Sequence, residues 1–546
     1  MKKWEVRLKL DGSDLSGEEL IAQLLKNRGI VGKKNIASFL HPKEPQALTA
    51  ADVDIEEKDL IKAIGRIQKA IQDKESIVVY ADYDADGITA GAVMWEALYS
   101  LGANAKPYIP HRVDEGYGLS IKGINAVREQ YNPTLIITVD HGITAWEKVE
   151  YAKSLGIDVV VTDHHVKPDK LPDCTIIHTT KLSGAGVSWF LVKELLSTFH
   201  FPLSTFHLLE LASIGTIADL VPLVGPNRSI VKYGLEAINS TKRVGLLAIM
   251  KEAGLTAGSL ATYDVSHVLA PRLNAMGRIV HAMDALRLIC TKQEERAASL
   301  AQTLGFTNKE RQQLTIDTVL RAREFLPKNL KKLIFLSHQS YNQGVIGLVA
   351  GKLVEEFYRP AVVVSEGPEV SKASARSIPG FNIVEAIRTC GDILIDVGGH
   401  PAAAGFTIET KNLGALKERL EKLAEDEITE EQLKRVLTID AEIPLSIISE
   451  DLWRSLRAFE PFGFGNPEPV FVSRVVEIVD ARLVGADGRH LKLRLHPNLD
   501  AIAFGFGSLY GKLQPPAIID IVYTIDMNVW NGNTSLQLKI KDIHTK

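Results

Sequence analysis

A chain of 546 residues is too long for one hydrophobic core, and its 45% apolar and 24% charged residues are the ordinary mixture of a multidomain globular protein, which excludes fibrous and wholly disordered classes. A formal charge of −4 gives no bulk attraction to a polyanion, so any nucleic-acid site has to be a local basic patch. Three distant cysteines, Cys174, Cys290 and Cys390, exclude a disulfide framework and a zinc knot and are expected to be buried thiols. No apolar run reaches membrane length and the start MKKWEVRLKLDGSD lacks a signal-peptide core, so a cytoplasmic location is expected.

Residues 1–49 read as a helical segment. From 50 to 239, short β-branched runs alternate with helical patterns, the rhythm of a mainly parallel sheet: SIVVYA at 76, AKPYIP at 105, PTLIITVD at 133, IDVVVTD at 157 and CTIIHT at 174. The pattern turns helical over 240–330 and ends in EERAASLAQTLGFTNKERQQLTIDTVLRAREFL. Unbroken, that last helix spans roughly 50 Å and holds two lobes apart, with Gly305 as a candidate break. A second α/β unit occupies 331–433, from KKLIFLSHQ through IGLVAGKLVEEF and RPAVVVSE to VGGHPAAAGFTI, its strands again alternating with helices. Residues 434–546 are strand-rich with Gly, Asn and Pro turns, which predicts a small β-barrel of the oligonucleotide-binding (OB) type. Phe504, Phe506, Tyr523 and Trp530 are its candidate stacking platforms, although for any one of them barrel core is the simpler account.

The chemistry starts at DYDADGITAGAV, residues 82–93. Its alternate aspartates Asp82, Asp84 and Asp86 look like a calcium loop, but the twelfth position, which has to be a bidentate acid, is Val93. A strand leads in and a helix leads out, so the acids crown the C-terminal end of a strand, the edge where open α/β sheets bind ligands. As a purely structural turn, Asp86 would cap that helix. The strand IITVD ends in Asp140-His141-Gly142 and the strand VVVTD in Asp163-His164-His165, which aims three strand tips at one point. Asp219, alone in the apolar run LASIGTIADLVPL, needs a partner that a divalent cation supplies. Carboxylates with one or two imidazoles suit Mn²⁺ or Mg²⁺, and six or so ligands are enough for two ions roughly 3.5 to 4 Å apart, the arrangement of a phosphoester hydrolase.

DYDADG, VDHG, TDHH and IGTIADLVPL resemble the four motifs of the DHH phosphoesterase superfamily. EGYGL, LAPRLNAMGR, GVIGLVAGKL, SARSIPGFN, VGGHPAAAGF and FEPFGFGNPEPVF, in one order over residues 50 to 546, resemble its RecJ family of single-strand-specific exonucleases. The resemblance implies an α/β fold: a parallel-sheet DHH catalytic domain at 50–239, a helical connector at 240–330, a second α/β domain, DHHA1, at 331–433, and an OB-like barrel at 434–546. It implies Mn²⁺ or Mg²⁺, two ions, on Asp84, Asp86, Asp140, His164 and Asp219, with Asp82 as an alternative ligand from the same triplet. Asp84, Asp86, Asp140, His164, His165 and Asp219 are then the catalytic set, His165 contacting either the scissile phosphate or a metal. Asp163 orients a histidine. Arg112, Arg278 and Arg376, with Ser374, grip the phosphate of the 5′ end, and Gly399 and His400 lie near the substrate. Two positions depart from the family pattern: Tyr80 stands where relatives carry a histidine, and His178-Thr179-Thr180 where they carry Asn-Pro.

The implied activity is release of 5′-mononucleotides from single-stranded DNA in repair and recombination, with a helicase and a single-strand-binding protein as partners and no membrane. Gly351-Lys352 lacks P-loop spacing, so no ATP site is expected. Two rivals stand beside this reading: a DHH phosphodiesterase for short oligonucleotides or cyclic dinucleotides, and a non-catalytic DNA-binding scaffold.

Overall fold

The computed structural model describes residues 2–8, 17–112, 114–199, 205–530 and 533–545. The first α/β sheet is fully parallel, with spatial order Asn104–Tyr108, Ser76–Ala81, Leu135–Val139, Asp158–Asp163, Thr175–His178. Its central strands are unbroken apolar runs because helices cover both faces. Residues of alternate parity enter two cores: Ile77, Val79, Ala81, Ile137 and Val139 one, Val78, Tyr80, Ile136 and Val161 the other. The chain leaves Ser76–Ala81 toward one edge and then returns to Leu135–Val139 on its other side. Those two neighbours flank the switch point, and Asp82 and Asp140 follow directly at their tips.

Helices Ala85–Ser100, Gly184–Thr198 and Phe206–Ala218 pack together over one face and are buried nearly all round, which explains their lack of a polar stripe. The helix Glu294–Glu324 runs unbroken through Gly305 for 31 residues. Gly305 is therefore not a break. A Cβ there would stand 2.0 Å from Glu252 Oε1, so its missing side chain admits the neighbouring helix Val244–Glu252, whose Glu252 accepts from Arg272 Nε at 2.7 Å.

The second sheet has the order Leu394–His400, Ala403–Glu409, Val370–Arg376, Ala361–Ser365, Ile334–His338, and only its last pair is parallel. Strict strand–helix alternation does not hold here, because VSKASAR forms a strand that alternates buried and exposed residues. The C-terminal unit is a closed five-stranded barrel in which Phe471–Val484 pairs with both His490–Leu495 and Ile518–Trp530, while Leu499–Ala503 and Asn533–Thr545 complete the ring. Tyr523 is barrel core, its hydroxyl hydrogen-bonded to Ser473 Oγ at 2.8 Å, and Phe506 packs against that core. Phe504 is 59% exposed and meets His490 edge-on, whereas the Trp530 side chain lies outside the described residues.

The N-terminal segment differs from the helical expectation. It opens with the strand Lys3–Val6, paired in parallel with Val436–Ile439, and its helices Gly17–Asn27 and Lys33–Leu40 send Leu20, Leu24, Leu25 and Phe39 into the barrel core. The cysteines are free, Cys390 buried and Cys174 and Cys290 half-buried. Among the described residues no helix is long and apolar enough to cross a membrane.

Candidate active site

Asp84, not Asp86, caps the helix Ala85–Ser100: its Oδ1 accepts from Asp86 N and Gly87 N, both at 3.0 Å. Asp86 points back into the protein, where Gly184 N and Ala185 N, at the start of the helix Gly184–Thr198, donate to its two oxygens at 2.7 and 2.9 Å. Such close approach demands glycines. A Cβ at Gly87 would lie 2.6 Å from Asp82 Cβ, at Gly184 2.2 Å from Asp140 Oδ1, and at Gly215 2.3 Å from Asp86 Oδ1. Asp140 leaves its strand in the left-handed region, φ 67°, with its N–H donating to Thr162 O at 3.0 Å. Asp219 ends the helix Phe206–Ala218.

These elements bring Asp82, Asp84, Asp86, Asp140, His164 and Asp219 together. His164 Nε2 stands 3.2 Å from Asp140 Oδ1, 3.5 Å from Asp219 Oδ2 and 4.0 Å from Asp86 Oδ2. The ligand atoms of Asp82, Asp84 and Asp140 lie within 4.8 Å of one another, and so do those of Asp86, His164 and Asp219; Asp140, His164 and His165 form a third such group. Asp82 Oδ1, Asp140 Oδ1 and His164 Nε2 are buried with no hydrogen-bond partner. Burial, reinforced by neighbouring carboxylates, pushes Asp82 and Asp140 well above the usual range, Asp86 to about 7 and Asp219 to about 8. Burial, and then the imidazoles of His165, His178 and His400, depress His164 to about 4, leaving a neutral ring with a free lone pair. Crowded acids, a neutral imidazole and orphaned donor atoms are the environment that a divalent cation relieves, and the donor set fits one or two of them.

Asp163 lies beneath this cluster as a scaffold. Its Oδ1 accepts from His164 N, His165 N and His165 Nδ1 at 2.7, 3.0 and 2.7 Å, and its Oδ2 from Ile143 N at 2.8 Å. Burial opposes its ionisation, but the His165 hydrogen bond and charge outweigh it and hold the carboxyl well below the usual range. In return, Asp163 lifts His165 to about 9 against the effect of burial. The ring presents Nε2 to Tyr117 Oη at 3.4 Å.

A second group surrounds this centre. The Arg112 guanidinium lies 4.8 Å from the centre of the Tyr83 ring, Arg278 donates to Gly344 O at 3.2 Å, and Arg376 donates to Ser374 Oγ at 3.1 Å and Ala375 O at 2.8 Å. None of the three is ion-paired to a carboxylate among the described residues. Burial and the mutual repulsion of Arg112, Arg311 and Arg376 bring Arg278 down to about 10, and burial and Arg112 lower Arg376. A cluster of half-buried like charges with no carboxylate ion pair among the described residues is poised for an anion. Gly399, φ 144°, allows the hairpin to close on Ala403 O, 2.3 Å from where a Cβ would be, and places His400 beyond it.

The DHH family N-terminal domain matches residues 76–216, the DHHA1 domain 330–426 and the RecJ OB domain 439–542. A single-stranded-DNA-specific exonuclease RecJ of Bacillus subtilis is 37% identical over 540 residues, 96% of this chain and 67% of the relative. The RecJ of Thermus thermophilus is 33% identical over 496 residues, 89% of this chain and 71% of the relative. The chain belongs to the RecJ family. Crystal structures of Thermus thermophilus RecJ in complex with Mn²⁺ and with Mg²⁺ superpose with TM-scores of 0.83 and 0.79 at 29% identity, covering 100% of this chain and 80% and 78% of theirs.

The two positions expected to depart from the family pattern, Tyr80 and 178–180, have structural accounts. Tyr80 is fully buried in the core it shares with Val78 and Ile136, against Tyr108 and His141, and belongs to none of the donor groups. His141, also buried, donates Nε2–H to Tyr80 O at 3.0 Å and takes no part in the donor groups. His178 donates Nε2–H to His165 O at 2.7 Å, and Thr179 N reaches Asp163 O at 3.4 Å, so the loop 178–180 braces the Asp-His-His turn.

Sequence reading missed Asn274, whose Oδ1 accepts from Ala85 N at 2.7 Å, and the reason for Gly277, where a Cβ would lie 2.4 Å from Tyr83 O. LAPRLNAMGR thus clasps the DYDADG turn from outside. It also missed Tyr83 and Tyr117, which meet edge-on at 6.2 Å beside His165. A tyrosine inside each quoted motif was the only available signal.

Proposed function

We propose that this RecJ-family chain is a single-stranded-DNA-specific exonuclease that works from the 5′ end, releases 5′-mononucleotides, and uses Mn²⁺ or Mg²⁺ as a pair of ions. The observation that carries the reading is the cluster of six donor residues in two triads, with three orphaned buried atoms, beside arginines that form no ion pair with a carboxylate among the described residues. Asp82, Asp84 and Asp140 would hold one ion and Asp86, His164 and Asp219 the other. Bound there, the ions supply Lewis acidity, neutralising the crowded carboxylates and polarising phosphoryl oxygens.

The chain's own residues do the rest. Asp163 accepts a hydrogen bond from His165 Nδ1–H and so leaves Nε2 to meet a non-bridging phosphate oxygen. Arg112, Arg278, Arg376 and Ser374 grip the terminal phosphate, and His400 closes the site from the second lobe. Contacts to phosphate carry no base information, so the activity is indifferent to sequence. Restriction to single strands places a strand-separating helicase upstream and a single-strand-binding protein on the shared substrate, in the cytoplasm with the DNA.

The test is digestion of 5′-labelled and 3′-labelled single strands and a blunt duplex, with Mn²⁺ and with chelator. Metal-dependent mononucleotide release from the 5′ end of single strands alone is expected. Cleavage confined to very short oligomers, or binding without cleavage, overturns the proposal. Arg376→Gln is expected to slow digestion of 5′-phosphorylated strands roughly 10- to 100-fold, the equivalent of one charge-assisted hydrogen bond at about 1.5–3 kcal/mol, and to change 5′-hydroxyl strands little. Paired rate measurements on the two ends check it, and equal slowing on both would remove Arg376 from the phosphate site.

A further inference from the structure

The motif FEPFGFGNPEP joins the barrel to the rest of the chain, and its glycines lie outside the acid and arginine clusters. Residues 462–466 sit on the loop that follows Asp219. That loop has one end fixed by the helix Phe206–Ala218, through Asp219 N donating to Gly215 O at 2.9 Å. Its next residue, Leu220, is left-handed at φ 58° and 62% exposed. The restraint comes two residues later. Leu223 N donates to Phe464 O at 2.8 Å, and Asn227 Nδ2 donates to Pro222 O at 3.2 Å. A Cβ at Gly463 would lie 2.6 Å from Leu223 Cδ1, and one at Gly465, φ 75°, 2.8 Å from Pro222 Cβ. The glycines are therefore what lets the two loops touch.

The turn is itself rigidly held. Gly463 and Asn466 exchange backbone hydrogen bonds at 2.9 and 3.1 Å, and the buried Asn466 amide donates to Phe459 O and Pro461 O at 2.7 and 2.9 Å. Arg28, from the N-terminal segment, donates Nε–H to Asn466 Oδ1 at 3.1 Å. Arg228, which follows the same loop into the helix Gly225–Asn239, is 1% exposed. It donates to the carbonyls of Phe39, Phe459 and Glu460 at 2.7, 2.9 and 2.7 Å and lies over the Phe39 ring.

We propose that residues 462–466 are a positioning element for Asp219, through which the N-terminal and barrel module sets the metal affinity of the catalytic domain. The inference rests on the metal-ligand role of Asp219 given above. Asp219 Oδ2 stands 3.5 Å from His164 Nε2 because its loop is tied at both ends. With the far tie loosened, the carboxylate retains its chemistry but loses its place.

The experiment uses the full chain, stripped of metal, and titrates Mn²⁺ by calorimetry alongside nuclease kinetics. Gly465→Ala is expected to weaken Mn²⁺ binding about tenfold, the range typical when a group that orients a metal ligand is lost, and to lower kcat with KM for single-stranded DNA unchanged. Asn227→Ala, which removes the donor to Pro222 O and leaves the turn itself intact, shifts both in the same direction by less. Gly102→Ala is the control: it has the same φ of 75° but open space around the added Cβ, so it lowers the melting temperature without moving Mn²⁺ affinity. Wild-type Mn²⁺ affinity in both Gly465→Ala and Asn227→Ala overturns the inference, and should Gly465→Ala unfold the barrel, Asn227→Ala decides alone. A wild-type chain that binds no Mn²⁺ or degrades no DNA would instead bring down the reading of the active site.

Discussion

Asp140→Asn is expected to abolish nuclease turnover while raising the melting temperature of the metal-free protein. The carboxylate is buried, its Oδ1 has no hydrogen-bond partner, and burial and the charges of Asp86, Asp84, Asp82 and Asp219 all oppose its ionisation. An amide keeps the shape and removes one like charge from a site that has no cation to balance it. The pH dependence follows the same sign. Carboxyls whose folded values are raised, Asp86 to about 7 and Asp219 to about 8, contribute stability at acid pH that is lost as pH rises through those values, because the unfolded chain ionises first. Metal-free wild type should therefore lose stability between about pH 4 and 8, and Asp140→Asn should flatten that decline. Mn²⁺ reverses the order: at a hundredfold excess over Kd wild type gains about 2.7 kcal/mol by mass action, and the variant, short of a ligand, gains less. The rate falls at least ~10³-fold, roughly 4 kcal/mol of barrier. Scanning calorimetry with chelator and with Mn²⁺, beside the assay, checks all three statements. A variant that melts below wild type in chelator would contradict the electrostatic account.

Gly215→Ala should eliminate activity and destabilise the fold by about 3 kcal/mol, the upper end of the range for overpacking a tight core. Intrinsic helix propensity favours Ala over Gly by about 1 kcal/mol, so the sign has to come from the surroundings. The added Cβ would stand 2.3 Å from Asp86 Oδ1, 2.5 Å from Ala185 Cβ and 2.6 Å from Thr89 Oγ1, where three helices meet under the acid cluster. None of these neighbours is the free end of a flexible chain. Gly65, exposed in the helix Glu57–Gln72 with nothing within 4 Å of its would-be Cβ, gives the opposite expectation: Gly65→Ala should stabilise by roughly 0.5–1 kcal/mol. Denaturant melts of the two variants decide the matter. Equal signs would mean that packing is not what sets the Gly215 requirement.

The acids and imidazoles of the site were legible because they sit at the ends of apolar strands, where the parallel order alone brings them together. Strand parity was legible too: along SIVVYA it sends Ile77, Val79 and Ala81 into one core and Val78 and Tyr80 into the other. What the sequence hid is contact at long range. Asn274 caps a turn 189 residues away, and nothing in LAPRLNAMGR says which N–H it meets. Gly305 looks like a helix breaker until the neighbour it admits is known, and KWEV is too short to announce a strand whose partner is VLTI at 436. Asp86 was the expected cap of a structural turn, but the cap is Asp84, two residues earlier, and only the backbone geometry separates the two.

The pairing of Lys3–Val6 with Val436–Ile439 also bears on how the protein is made. Asn27 donates its amide to Asp440 O across 413 residues, and Leu20, Leu24 and Phe39 have no core until the barrel exists. A ribosome releases the catalytic sheet, whose strands all lie between residues 76 and 178, long before it delivers the other half of the first segment's core. This early segment is thus among the last to be buried, and its apolar faces wait in solvent while the parallel-sheet domain folds beside them. Contacts of such high sequence separation fold slowly. During synthesis the hazard of misassembly falls on the barrel module rather than on the catalytic domain.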